Sequence, residues 1–144
     1  METYTFGSNP TGPRSAWPAD PPDNPAIIRT RAAWHQATRR YNGQRTAARN
    51  ANHAAEAIET KLRAKYGDGW YTADPAGRNA YTAARDAMHA LYAPLAQLET
   101  DETAAATAYD ETRENAIYHN ARNAGRTHDE AQRTVNNWKS RLSQ

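Results

Sequence analysis

The stretch Tyr66-Gly67-Asp68-Gly69-Trp70-Tyr71-Thr72-Ala73-Asp74-Pro75 decides how this chain folds. Long Ala-rich segments with helical periodicity lie on both sides of it, and nowhere else is that pattern so fully interrupted. Gly67 carries no Cβ and suits the left-handed conformation that closes a helix. Asp74-Pro75 offers a side-chain acceptor for orphan N–H groups, followed by a residue with no N–H to satisfy. One helix should therefore end at about residue 66 and another start at about 75. So short a link favours an antiparallel hairpin.

On the N-terminal side, Asn24-Pro25 repeats the cap-plus-proline signal and opens the first helix. Its apolar row is Ile27, Trp34, Tyr41, Ala48, Ala55 and Leu62, in strict steps of seven. Thr30, Ala37, Gln44, Ala51 and Ile58 follow three residues on, which makes a heptad seam of mediocre residues. Gly43 leaves the phase of that seam unchanged and is read as a glycine tolerated within the helix. On the other side, the second helix runs from Pro75 to about Asn123 and stops at Gly125. Its rows are Ala84, Leu91, Leu98, Ala105, Thr112 and Tyr81, Met88, Leu95, Glu102, Tyr109, Ala116. Pro94 removes a hydrogen bond and crowds the carbonyl of Ala90, so a kink is expected there. A third helix opens with the capping box Thr127-x-x-Glu130 and carries the stripe Ala131, Val135, Trp138, Leu142.

Residues 1–25 differ in composition, with six of the eight prolines and the aromatics Tyr4, Phe6 and Trp17. Proline fixes φ and removes donors, so this arm should be extended. Its Pro-x-x-Pro spacings match the skeleton of SH3 ligands, as those of any Pro-rich arm do. The reading is all-α: a long antiparallel helical hairpin, a shorter C-terminal helix packed on it, and an extended Pro-rich N-terminal arm. Two regions follow, the arm at 1–25 and a three-helix domain at 26–144.

Leu, Ile, Val and Phe together number only 11 among 144 residues, against 30 Ala. The core must then be thin, with Trp and Tyr supplying much of its buried area. A thin core favours self-association or a protein partner, because apolar burial is the main stabilising term. Cysteine is absent, which excludes disulfides and thiolate metal sites. No apolar run is long enough to cross a membrane, and a cytoplasmic location, or one within a virion or other assembly, is expected.

The charge is segregated. Residues 26–55 carry Arg29, Arg31, Arg39, Arg40, Arg45 and Arg49 and no acid, whereas residues 99–118 carry six acids and one Arg. With Trp34 and Tyr41 interleaved, the arginine run resembles a nucleic-acid-binding helix. A hairpin pivoting near residue 70 would instead set Arg39 and Arg40 level with Asp101 and Glu102, and Arg31 level with Asp110. Such pairing would fix the register of a self-complementary bundle.

For metal binding, the best pattern is His53-x-x-Glu56 with Asp86-x-x-His89, related to the Glu-x-x-His arrangement of di-iron bundles. The heptad phase puts both histidines on outer faces, so no metal site is assigned. Serine occurs only in the arm and the last residues, and Gly67-Asp68-Gly69 lacks the spacing and lysine of a phosphate loop. No catalytic residue and no cofactor are nominated.

A hairpin with Trp and Gly in its turn is similar to the Trp-x-Gly family of secreted helical-hairpin proteins. The order here is Gly69-Trp70, however, and Tyr109 and Tyr118 are followed four residues on by Arg113 and Arg122 rather than by an acid. The chain is not placed in that family. The expected function is a non-catalytic interaction or assembly protein, an accessory component of a phage particle or other complex. Its candidate partner-binding residues are Tyr4, Phe6, Trp17, Trp70 and Tyr71. The alternative is a nucleic-acid binder using the six arginines.

Overall fold

A computed structural model describes residues 20–143, which are almost wholly helical and contain no strand. The elements are α1 (Pro25–Tyr66), a 3₁₀ turn (Gly67–Gly69), α2 (Trp70–Ala73), α3 (Pro75–Tyr92), α4 (Leu95–Asn123) and α5 (His128–Leu142). Two long helical stretches, 25–73 and 75–123, pack together, and a shorter C-terminal helix completes the fold. The arm residues Tyr4, Phe6 and Trp17 lie outside the described residues.

The punctuation seen in the sequence sets the boundaries. Asn24 Oδ1 accepts from the Ile27 N–H at 2.9 Å, and Asp74 Oδ1 accepts from Gly77 N–H at 3.0 Å. Gly67 takes φ +67° at the end of α1, and Gly125 takes φ +88° after α4. Thr127 and Glu130 form the reciprocal capping box of α5. The link is more ordered than a plain loop, because 67–69 form a 3₁₀ turn and 70–73 a single helical turn. Pro94 divides the second stretch into α3 and α4. Beside that break, the carbonyl of Leu91 accepts from Gln44 Nε2 of α1 at 2.8 Å. A polar seam residue is thereby matched to backbone near the interruption.

Contacts divide the chain into two compact units. One comprises Ala33–Ala104. There Ala48, Ala55, Leu62 and Trp70 are buried, while Tyr81, Met88, Leu91, Leu95 and Leu98 are only half-buried. A pair of helices can cover one side of each seam and no more. The other comprises the described residues up to Ala32 together with those from Ala105 onward, and it includes α5. With a third helix present, Ile27, Ile117, Ala131, Val135 and Trp138 are all buried.

Candidate functional site

The arginine run lies on α1, a continuous 42-residue helix that passes through Gly43 without a break. Arg29, Arg39, Arg40, Arg45 and Arg49 are exposed, and none forms an ion pair or hydrogen bond among the described residues. This corrects the expected pairing of Arg39 and Arg40 with Asp101 and Glu102. The level is nearly right but the partners are different. Glu102 is a seam residue, and its Oε1 accepts from Trp34 Nε1 at 3.1 Å and from Thr38 Oγ1 at 3.4 Å. Asp101 accepts from Gln97 of its own helix at 2.8 Å. Neutral donors therefore meet both acids, from across the seam for Glu102 and from its own exposed helix face for Asp101, and the arginines stay in solvent.

Arg31 is likewise not paired with Asp110. It makes a two-pronged contact with Asp23, at 3.0 and 2.8 Å, just before α1 begins. That hydrogen bonding holds the Asp23 carboxyl below its ordinary pKa, against an opposing effect of desolvation and with a lesser contribution from the guanidinium charge. Arg31 is raised by the same partner, with a smaller hydrogen-bond contribution from Tyr109. Asp110 belongs to Arg113, at 2.6 Å on the same helix.

The two candidate partner-binding aromatics of the turn differ. Trp70 is 6% exposed and packs edge-on to Tyr81 at 5.1 Å, with the Arg63 guanidinium 5.4 Å from its ring centroid. It is a core residue of the hairpin tip, which leaves it little surface for a partner. Tyr71 is 49% exposed, with Arg78 over its ring at 5.6 Å.

In the unit containing α5, a polar cluster surrounds Trp138. Trp138 Nε1 donates to Asp20 Oδ1 at 3.0 Å, and Arg141 also contacts Asp20. Arg113 lies 4.2 Å from the Tyr109 ring centroid and 4.9 Å from that of Trp138, as a cation held between two aromatic faces. The sequence shows Trp138 on an apolar stripe, but its partner Asp20 is 118 residues away, a separation that no local pattern reports. Glu114 and Lys139 join α4 to α5 at 3.0 Å. An open groove of about 520 Å³ in the same unit is lined by Pro22, Asn24, Thr112, Ala116, His119 and others.

His53, Glu56, Asp86 and His89 are all exposed. Among the described residues, no three His, Asp or Glu side chains come together in a group that could hold a metal. No described helix is long and apolar enough to cross a membrane. Comparison with protein-family models, curated proteins and solved structures finds no match.

Proposed function

We propose that the protein is a non-catalytic helical interaction protein, a structural or accessory component of a larger assembly. The observation supporting this is the contrast between the two units. In the unit that contains α5, Ile27, Ile117, Ala131, Val135 and Trp138 are buried, although Leu142 at the end of α5 is exposed. In Ala33–Ala104, every large apolar residue of the α3 and α4 rows, Tyr81, Met88, Leu91, Leu95 and Leu98, remains only half-buried among the described residues. Tyr71 and Tyr92 are large apolar side chains exposed in the same unit. A helix from another chain, with a second copy the first to test, would remove that row from water at about 25 cal/mol per Å² of apolar surface. Sedimentation equilibrium over a hundredfold concentration range tests this. Concentration-dependent association, with slower amide exchange at 88–98 in the associated form, is the expected result. A stable monomer at every concentration that captures no protein partner would remove the proposal.

A further inference from the structure

The outer side of α1 carries one row in steps of four and three: His35, Arg39, Asn42, Thr46, Arg49 and His53. Those steps keep the six side chains on a single helical face. All six are exposed, and the row lies opposite the seam of Trp34, Tyr41, Ala48 and Ala55. Each residue in it is a hydrogen-bond donor in at least one protonation state, and α1 contains no acid before Glu56. Arg40 and Arg45 lie on the row's flanks, also exposed. Seam positions meet the acids nearest in register, as Glu102 does with Trp34 and Thr38, so the row's cations are not neutralised from across the hairpin.

We infer that this row binds the sugar–phosphate backbone of a nucleic acid without reading its bases. Arg39 to Arg49 span ten residue steps, about 15 Å of helix. A duplex presents about nine phosphate charges over the same length. The guanidinium fork matches phosphate oxygens, and Asn42 and Thr46 add neutral donors between the arginines. A lipid surface fits less well, because an interfacial helix must offer its apolar face to the bilayer, and the apolar face of α1 is turned to the other helical stretch. This inference is separate from the assembly proposal, which concerns the rows of α3 and α4.

Fluorescence anisotropy of the full chain with a labelled random-sequence duplex provides the test. If the four arginines neutralise four phosphates, log K against log salt falls with a slope of about −3.6, or about 150-fold between 50 and 200 mM. The double substitution Arg39→Gln with Arg49→Gln should bring the slope to about −1.8, or about 12-fold over that range. Lys61→Gln with Arg85→Gln removes the same net charge elsewhere and should leave the slope near the wild-type value. Circular dichroism checks that each variant keeps its helices. No binding at 50 mM salt, equal losses in the two double variants, or equal competition by polyglutamate or anionic vesicles would each overturn the inference.

Discussion

Gly43 and Gly77 both sit within helices, yet they should respond in opposite ways to alanine. A Cβ at Gly43 would meet nothing within 4 Å, so Gly43→Ala should add about 1 kcal/mol of stability through helix propensity alone. At Gly77 the added carbon would lie 2.6 Å from Leu62 Cδ2 and 2.8 Å from Asp74 Oδ2. It would press on a buried leucine and on the carboxylate that caps α3. Overpacking costs about 1–3 kcal/mol, and after the propensity gain a net loss of about 1 kcal/mol is expected for Gly77→Ala. Urea denaturation of both variants checks the pair, and a gain at both positions would contradict the close approach. Asp23 makes a prediction about pH. Its pKa is lowered in the folded protein by Arg31, so its contribution is present above the unfolded carboxylate value and fades as pH falls through the folded one. The stability difference between wild type and Asp23→Asn should therefore be seen at neutral pH and close in acid. A difference that persists below the folded-state pKa of Asp23 would mean that the carboxylate charge is not its source.

At the level of elements, the helix pairs divide into those joined by charge and those that are not. Arg40 and Asp101 were placed level by the pivot of the hairpin, but they make no ion pair. Arg40→Glu and Asp101→Lys should thus be additive within about 0.5 kcal/mol in a double-mutant cycle. Glu114 and Lys139 do meet across α4 and α5, and reversing both should recover part of the loss from reversing either, on the scale of about 0.2–1 kcal/mol. Coupling in the first cycle and none in the second would invert the assignment. The same contrast explains what was legible beforehand. Heptad rows, the caps at Asn24, Asp74 and Thr127, the glycine stop at Gly67 and the interruption at Pro94 are local signals, and each sits where the residues place it. The partner of a long arginine was not legible. A guanidinium on a flexible stem reaches several turns, and Arg31 took an acid eight residues away on its own chain segment rather than one on α4. Asp20 with Trp138, and the close contact at Gly77, depend on tertiary geometry and leave no spacing to read.

For the whole molecule, the tie between Asp20 and α5 bears on the order of events as the chain is made. The unit Ala33–Ala104 is continuous in sequence, and its parts are all present once residue 104 has emerged. The unit built on Trp138 joins residues 118 positions apart. At about 5–20 residues per second of synthesis, Asp20 precedes its indole partner by roughly 6–24 s. Ile117, which clusters with Val135 and Trp138, emerges only late in that interval, and both it and Asp20 wait for α5 to supply their partners.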